Sequence, residues 1–332
     1  MAQSDARPRY VARGGEQVYP QPYTARRVGY YGFVVAADAA AIQTHVCEAL
    51  FNAPSGGAVR MRAVGDWALV TFDELAHLAS ADPPAREHGW FTEREAAIWI
   101  LVEETHTGQF YWTIPYIFVD NGLALASGRE VYGFPKAQGW IQMPASPDYP
   151  DFFGAETIVV PAYTANTQGV RRPALSAHRT ATNTDTDARS DGAGGWHSDL
   201  RGLLGAAGEV VRQSGLAGGL DWQTCQNVWA FLGDLIQRQA PLVFLKQFRA
   251  ADAPERACFQ AVVASSAKLT GFHGGRLLAG RYTVEIADPP SHPMRRDLGI
   301  STKRVQAGLA FYADIDFRLE TGRHLWRAGD GA

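Results

Sequence analysis

The segment SGREVYGFPKAQGW, residues 127–140, places a single lysine, Lys136, directly after a proline and before an alanine. The nearest charged residues along the chain are Glu130, six positions earlier, and Asp148, twelve positions later. A lysine in such a setting is either an exposed turn residue or an amine that the fold withdraws from water. The two interpretations predict different chemistry, because only a withdrawn amine becomes a good nucleophile at neutral pH.

The chemistry of a withdrawn lysine amine is attack on a carbonyl group. In water the amine has a pKa of about 10.4 and is almost fully protonated at pH 7. Burial in an apolar pocket disfavours the ammonium ion and lowers the pKa, so that the amine can form an imine with a ketone. Pro135 fixes its own φ angle and lacks an N–H, so it holds Lys136 rigidly at a strand end. Phe134 and Trp140 are candidates for the apolar walls.

Composition and missing motifs exclude several other classes of function. The chain has 332 residues, 46% of them hydrophobic, which is enough for one large core or two modest ones. Its net charge of −3 provides no broad basic surface, so we expect no nucleic-acid partner. The sequence has no phosphate-loop, dinucleotide-binding, zinc-protease or serine-hydrolase motif. Its nine histidines lack metal-ligand spacing, so we expect neither a metal nor an organic cofactor.

The sequence shows no sign of export or membrane insertion. No apolar segment reaches membrane-spanning length, and the first residues do not resemble a secretory signal peptide. The three cysteines, Cys47, Cys225 and Cys258, are widely separated and form neither a disulfide framework nor a metal-ligand pattern. These features predict a cytoplasmic protein that does not bind membranes.

The segments around Lys136 predict an α+β fold that is mainly antiparallel β. Residues 96–104, 108–120 and 122–134 are rich in aromatic and β-branched residues, and the short turns between them, HTG and DNG, favour hairpins. A helix is predicted at 39–50. Further strands are predicted at 28–38, 67–75, and in the segments APLVFLKQFRA, FQAVVASSAKLTGF, RYTVEIAD and GLAFYADIDFRLETG.

Two segments depart from this pattern. Residues 1–19 are predicted to be a flexible arm, and residues 20–330 a single domain that an insertion at 164–239 interrupts. Within the insertion, residues 164–200 have too few apolar side chains to support a core, and we expect them to be mobile. Residues 201–239 carry apolar side chains near helical spacing and are predicted to be helical.

The segment GREVYGFPKAQG resembles the Schiff-base-lysine segment of acetoacetate decarboxylases, which usually has the form G-R-E-x-x-x-[YF]-P-K. Flanking segments are also similar, among them VYPQPYTARRVGYYGFVV, WFTEREAAIWI and DNGLALASGRE. Together with the C-terminal strands they span most of residues 20–163 and 240–320. The resemblance implies an antiparallel, barrel-like or cone-like β core around a closed cavity, peripheral helices and a homo-oligomer.

The resemblance assigns roles to four titratable residues. Lys136 falls on the imine-forming lysine, and Glu93 falls on a carboxylate that assists proton transfer. Glu95 lies two residues further on, hence on the same face of a strand, and is a substitute for Glu93. Asp73 falls near a second active-site glutamate. The alternative for each acidic residue is a solvated carboxylate at a strand edge.

The resemblance also suggests residues that contact the substrate. Arg27, or alternatively Arg26, falls near the arginine that meets the substrate carboxylate. Phe134 and Tyr116 are further candidate substrate-binding residues. One position departs from the family pattern, because the type enzyme has a second lysine immediately after the nucleophile and this chain has Ala137.

The absence of that second lysine bears on how Lys136 would be activated. Acetoacetate decarboxylase is a standard example of a lysine activated by desolvation or by a neighbouring cation. Without an adjacent ammonium ion, burial must supply nearly the whole lowering of the pKa. We therefore predict that Lys136 is buried and uncharged near neutral pH.

Three functions remain open on the sequence. The first is a cofactor-independent lyase that decarboxylates a 3-oxo acid through a Lys136 imine and enamine. The second is an aldolase-dehydratase, in which the enamine of pyruvate or another 2-oxo acid attacks an aldehyde co-substrate. The third is a ligand-binding barrel without catalysis.

Overall fold

The computed structural model describes residues 8–12, 18–83, 85–181, 189–190 and 240–329, and these residues contain fifteen strands. The strands are β1 (Tyr23–Ala36), β2 (Met61–Ala63), β3 (Trp67–Ser80), β4 (Phe91–Glu104), β5 (Gln109–Val119), β6 (Lys136–Gln142), β7 (Phe152–Val159), β8 (Val170–Ala181), β9 (Arg189–Ser190), β10 (Ala240–Arg249), β11 (Ala257–Leu277), β12 (Arg281–Ile286), β13 (Arg304–Gln306), β14 (Leu309–Leu319) and β15 (Arg323–Arg327).

The helices in the described residues are short. They are α1 (Ala39–Ile42), which continues as a π-helix over Gln43–Asn52, α2 (Gly122–Ser127), which continues as a π-helix over Gly128–Tyr132, α3 (Met294–Leu298), and a 3₁₀ turn over Ala85–His88. Asp38 caps α1, since its side chain accepts hydrogen bonds from the N–H groups of Ala40 and Ala41. None of the described helices is long and apolar enough to cross a membrane.

The described strands form one hydrogen-bonded network in the order β13-β12-β8-β7-β6-β5-β10-β11-β14-β1-β3-β4-β2, with β9 and β15 paired to β11. Because β4 also pairs with β5, the seven strands β1, β3, β4, β5, β10, β11 and β14 form a closed circuit of pairings. The pairings are antiparallel except those of β5 with β6 and with β10. The mainly antiparallel fold predicted from the sequence is confirmed.

The two faces of the circuit bury different apolar clusters, because successive side chains on a strand point to opposite faces. One cluster contains Trp67, Leu69 and Trp112 and surrounds the cavity described below. The other contains Phe33 and Val70 with residues of α1, β7, β12 and α3. Leu69 and Val70, adjacent on β3, therefore belong to different cores.

The strand predicted at 122–134 is wrong, because this segment forms α2 and its π-helical extension. Asn121 starts the helix, since its Oδ1 accepts hydrogen bonds from the N–H groups of Leu123, at 2.8 Å, and Ala124. Gly133 ends it in the left-handed conformation, with a φ of 89°. The DNG turn therefore caps a helix rather than closing a hairpin. The chain returns along this helix, so β6 begins at Lys136 and runs parallel to β5.

The prediction of a mobile segment at 164–200 is wrong for residues 170–181. Residues 170–181 form β8, which lies between β7 and β12 with Ala174, Leu175 and Ala177 buried. The rest of the predicted insertion, at 182–188 and 191–239, lies outside the described residues and includes the whole segment predicted to be helical. Much of the predicted N-terminal arm also lies outside them. Its last residue, Tyr19, is anchored, since its N–H donates to Ser127 Oγ at 3.1 Å.

Candidate active site

An apolar cavity of about 170 Å³ lies within the cluster that contains Trp67, Leu69 and Trp112. Side chains of all seven strands of the circuit line it, together with residues of the segment from α2 to the start of β6. Three acidic residues, Asp73, Glu93 and Glu95, interrupt the apolar lining. Among the described residues that line the cavity, Lys136 carries the one basic side chain.

Three local features position Lys136. The residue opens β6 beside Ile117 of β5, and its carbonyl oxygen accepts a hydrogen bond from Arg129 Nη1 at 3.1 Å. Its alkyl chain passes directly over Gly128, where a Cβ atom would lie 2.8 Å from Lys136 Cδ. Its Nζ lies 5.7 Å from the centroid of the Phe134 ring. Only 10% of the Lys136 side chain is exposed, so the predicted burial is confirmed and the exposed-turn interpretation is wrong.

Two glutamates of β4 meet the buried amine. Lys136 Nζ donates to Glu93 Oε1 at 2.5 Å and lies 3.7 Å from Glu95 Oε2. The Glu93 and Glu95 side chains are 1% and 13% exposed. They share a face because they are two residues apart on one strand. The structure thus brings both predicted glutamates to the predicted nucleophile.

Asp73 completes the acidic group from the neighbouring strand. It is the cross-strand partner of Glu95 on one side and of Tyr30 on the other. Thr71 Oγ1 donates to Asp73 Oδ2 at 2.9 Å, and Trp99 Nε1 donates to Thr71 Oγ1 at 3.1 Å. Tyr30, Thr71 and Trp99 were not predicted from the sequence. Thr71 could have been predicted, because it lies two residues before Asp73 and therefore on the same strand face.

Burial and mutual repulsion change the protonation of these acids. Burial raises the pKa of Asp73 well above its usual range, and the charge of Glu95 adds to the effect. Burial, with the charge of Glu93, raises the pKa of Glu95 to about 8, against the opposing effect of Lys136. Both shifts favour the protonated forms of Asp73 and Glu95 near neutral pH.

The protonation of Lys136 differs from the prediction. Burial lowers the pKa of Lys136, but the charge of Glu93, with that of Glu95 once it ionises above a pH of about 8, raises it by more, so the net direction is upward. The amine is an ammonium ion in the site as it stands, and the predicted uncharged amine is wrong. Burial supplies the expected desolvation, but the adjacent carboxylates oppose it. Glu93 Oε1, 2.5 Å from Nζ, is the nearest acceptor for the proton that the amine must lose to become neutral.

The two arginines suggested for the substrate carboxylate lie away from the cavity lining. A bulge in β1 between Ala25 and Val28 displaces both, and Arg27 has a left-handed φ of 55°. The Arg27 guanidinium pairs with Asp314 at 2.7 Å, in a separate polar groove. Arg26 is exposed to solvent. The bulge, which the sequence did not reveal, accounts for the difference.

Of the three aromatic residues predicted to contact the substrate or the lysine, Phe134 lines the cavity, whereas Tyr116 and Trp140 do not. Tyr116 packs against the opposite core, and its hydroxyl donates to Asp297 Oδ2 at 2.6 Å. Trp140 is 36% exposed, with the Arg171 guanidinium 4.5 Å from its ring centroid.

No metal-binding cluster of three or more His, Cys, Asp or Glu side chains occurs in the part of the chain that the structure describes.

Comparison with known proteins agrees with the resemblance noted in the sequence. Residues 66–157 match the family model of acetoacetate decarboxylase, and this range contains Asp73, Glu93, Glu95 and Lys136. The resemblance to this family noted at the Lys136 segment is thus confirmed over residues 66–157. No curated protein sequence matches the chain.

Several solved structures share the fold. Acetoacetate decarboxylase from Legionella pneumophila subsp. pneumophila str. Philadelphia 1 has a TM-score of 0.57 and 14% identity, over 98% of this chain and 94% of that one. The enduracididine biosynthesis enzyme MppR complexed with pyruvate has a TM-score of 0.53 and 14% identity, over 94% and 93%. An acetoacetate decarboxylase-like enzyme from Sphingomonas wittichii RW1 has a TM-score of 0.53 and 13% identity, over 96% and 98%. At these identities the similarity shows the fold.

Proposed function

We propose that this protein is an imine-forming lyase, independent of cofactors, that decarboxylates a 3-oxo acid through Lys136. One observation carries the proposal: the Lys136 amine is buried in an apolar cavity, in direct contact with Glu93 and close to Glu95. The match of residues 66–157 to the acetoacetate decarboxylase family supports it. The closed circuit of seven strands would be the barrel-like enclosure of the reaction.

The first step is formation of the imine. Substrate displaces water from the apolar cavity, which disfavours the separated charges of the Lys136–Glu93 pair. The proton on Nζ moves to Glu93, and the neutral amine attacks the ketone carbon. A C–N bond forms, the π bond of the carbonyl opens, and the oxygen takes up a proton from the nitrogen to become a hydroxyl group. Asp73 or Glu95, each protonated at pH 7, donates a proton to the departing hydroxyl group, and water leaves. The product is a protonated imine on Lys136.

The second step is loss of carbon dioxide. The protonated imine accepts the electron pair of the bond between the α-carbon and the carboxylate, CO₂ leaves, and an enamine forms. An acid of the Asp73–Glu95 pair then protonates the enamine carbon, and water hydrolyses the imine to release the ketone. No arginine is among the described residues that line the cavity, so none of them pairs with the substrate carboxylate. It accepts hydrogen bonds from the neutral acids and lies against apolar walls, which favours its departure as an uncharged molecule.

A second candidate uses the same imine in an aldol reaction. The enamine of pyruvate or another 2-oxo acid would attack an aldehyde, and dehydration would follow. The specific support is that MppR, which shares the fold, has structures with pyruvate and with the condensation product of pyruvate and imidazole 4-carboxaldehyde. The paired neutral acids Asp73 and Glu95 also suit a dehydration, because they can protonate a leaving hydroxyl group.

The decisive experiment is reduction with borohydride in the presence of a panel of 2-oxo and 3-oxo acids, followed by mass spectrometry of peptides. We expect a covalent adduct on Lys136 that is absent from Lys136→Met. Lys246→Met is the matched control, because Lys246 is a partly buried lysine outside the cavity lining. The Lys246→Met variant should form the adduct normally.

The same panel separates the two reactions. Release of CO₂ from 3-oxo acids supports decarboxylation, whereas a condensation product from pyruvate and an aromatic aldehyde supports the aldol reaction. If no oxo acid gives an adduct, the protein is not an imine-forming enzyme, and the ligand-binding function takes precedence.

A further inference from the structure

The cavity extends well beyond the acidic residues, along the strands that form its wall. The pairing registers arrange its lining in successive rows across β4, β3, β1, β14 and β11. The first row contains Glu95, Asp73, Tyr30 and Ala313; the second, Glu93, Leu75, Val28, Ile315 and Phe272; the third, Phe91, Leu78, Phe317 and Leu269; the fourth, Tyr23, Leu319 and Ala267.

The reacting groups occupy only the first two rows. Lys136 Nζ contacts Glu93 in the second row, and Asp73 and Glu95 lie in the first. The cavity-lining residues of the third and fourth rows carry no charge. From Ile315 to Leu319 the strand advances four residues, or about 13 Å at roughly 3.3 Å per residue. The uncharged cavity lining on this side of the amine, which we call the apolar channel, therefore spans about that length.

The cavity is also larger than a four-carbon acid requires. Its volume is about 170 Å³. A water molecule takes up roughly 30 Å³ in the liquid, so the cavity has room for several waters. Water is poorly held against walls such as Phe91, Phe317 and Leu319, because these side chains offer it no hydrogen bonds. An apolar ligand group therefore packs against the third and fourth rows more favourably than water does.

We propose that the substrate of Lys136 carries an extended apolar group, an alkyl chain of about five carbons or more or an aromatic ring, on the side of the carbonyl away from the carboxylate. This inference rests on the proposed imine chemistry and specifies its substrate class. The carbonyl carbon lies at the second row, and the apolar group lies along the third and fourth rows toward Leu319 and Ala267. Acetoacetate, with only a methyl group on that side, leaves these rows unfilled.

The first test compares 3-oxo acids that differ only in this group: 3-oxobutanoate, 3-oxohexanoate, 3-oxooctanoate and 3-oxo-3-phenylpropanoate. We expect kcat/KM for CO₂ release to rise roughly tenfold for every two methylene groups, because each methylene is transferred from water to apolar walls. Equal or better use of 3-oxobutanoate would overturn the inference while leaving the imine chemistry intact.

A variant at the far end of the channel localises the effect. Ala267 is a small lining residue in the fourth row, so Ala267→Phe should shorten the channel. We expect this variant to lower the ratio of kcat/KM for 3-oxooctanoate to kcat/KM for 3-oxobutanoate at least tenfold, and measurable activity on 3-oxobutanoate shows that it folds. Thr270→Phe is the matched control, because Thr270 is exposed on the same strand and does not line the cavity. Unchanged chain-length preference in Ala267→Phe would place the apolar group elsewhere and contradict the proposal.

A binding measurement keeps the substrate class separate from catalysis. The 3-hydroxy analogues of the butanoate and octanoate substrates cannot form an imine, so calorimetry on the wild-type protein reports only occupancy of the cavity. We expect 3-hydroxyoctanoate to bind at least tenfold more tightly than 3-hydroxybutanoate, whether or not an imine is ever trapped. Equal affinity, or no binding of either, would refute the apolar-group assignment. Tighter binding of the octanoate without any borohydride adduct would instead refute the proposed reaction alone.

Discussion

Two cation–carboxylate pairs lie on different sides of β1, and they differ mainly in their surroundings. In the cavity, Lys136 Nζ lies 2.5 Å from Glu93, and the two side chains are 10% and 1% exposed. In the polar groove, Arg27 Nη2 lies 2.7 Å from Asp314, and those side chains are 64% and 15% exposed. The distances are similar, but water reaches only one of the cations freely.

The difference shows that burial, rather than the distance between charges, gives an ion pair its chemical role. Water and salt screen an exposed pair, so it contributes about 0–1 kcal/mol to stability and its arginine stays charged. The buried Lys136–Glu93 pair has lost its hydration, and its two charges are held by each other. Whatever removes the last water from the cavity favours transfer of the proton from Lys136 to Glu93. In the proposed function the buried pair is the reactive group, whereas the exposed pair is a surface contact.

The largest expected effect comes from breaking the buried pair. Lys136→Met removes the ammonium ion and leaves Glu93 buried without it, so we expect the free energy of unfolding to fall by roughly 3–5 kcal/mol. Urea denaturation measures the loss. The double variant Lys136→Met with Glu93→Leu should recover most of it, because the uncompensated carboxylate is gone. A double variant as unstable as the single one would show that packing, rather than charge, holds this site.

The next effect concerns the pH dependence of stability. The pKa of Glu95 is raised to about 8 in the folded protein, whereas the unfolded chain has a value near 4.3. Folding thus favours the protonated form, and Glu95 lowers stability progressively as the pH rises from about 4 to about 8. Glu95→Gln removes this contribution. Its stability relative to the wild type should increase by on the order of 2–4 kcal/mol between pH 4.5 and pH 8.

Urea denaturation at several pH values measures this difference. Glu74→Gln on β3 is the control, because its side chain is 48% exposed, beside Asp73 but on the opposite face of the strand. A difference between Glu95→Gln and the wild type that stays constant with pH would contradict a raised pKa at Glu95.

A smaller effect is expected from the residue beneath the nucleophile. A Cβ atom at Gly128 would lie 2.8 Å from Lys136 Cδ, so Gly128→Ala should displace the lysine side chain from Glu93. We expect kcat/KM on the best 3-oxo acid to fall roughly 10- to 100-fold, since misplaced catalytic groups cost about that much. Gly29→Ala is the matched control, because its added Cβ meets no atom closer than 3.7 Å. Full activity in Gly128→Ala would show that the lysine adapts to the methyl group.

The smallest effect is expected at the exposed pair. Arg27→Met should change the free energy of unfolding by less than about 1 kcal/mol, because solvent screens its contact with Asp314. The yield of the Lys136 borohydride adduct and KM for 3-oxo acids should stay at wild-type values. An increase in KM of tenfold or more would restore Arg27 as the residue that meets the substrate carboxylate.

Much of the site was predictable because its signals are local. The Gly-Arg-Glu and Pro-Lys elements around Lys136, and the spacing of two between Glu93 and Glu95, are properties of short segments. Gly128 leaves room for the lysine chain and Arg129 holds the lysine carbonyl group, which gives two residues of the motif a physical purpose. The strand assignments held where aromatic and β-branched residues alternate over many positions. They failed at 122–134, where the cap formed by Asn121 outweighed the strand-like composition.

The sequence by itself determined that a lysine with apolar neighbours belongs to a mainly antiparallel β protein and that nearby strands carry paired acids. Tertiary structure alone decided the charge of that lysine, because its pKa depends on the separation of Nζ from two carboxylates 41 and 43 residues away in the chain. It also decided that Arg27 faces away from the cavity, since a single bulge in β1 reverses which side chains point inward. Burial and opposing charges act through space, and neither can be read from the order of residues.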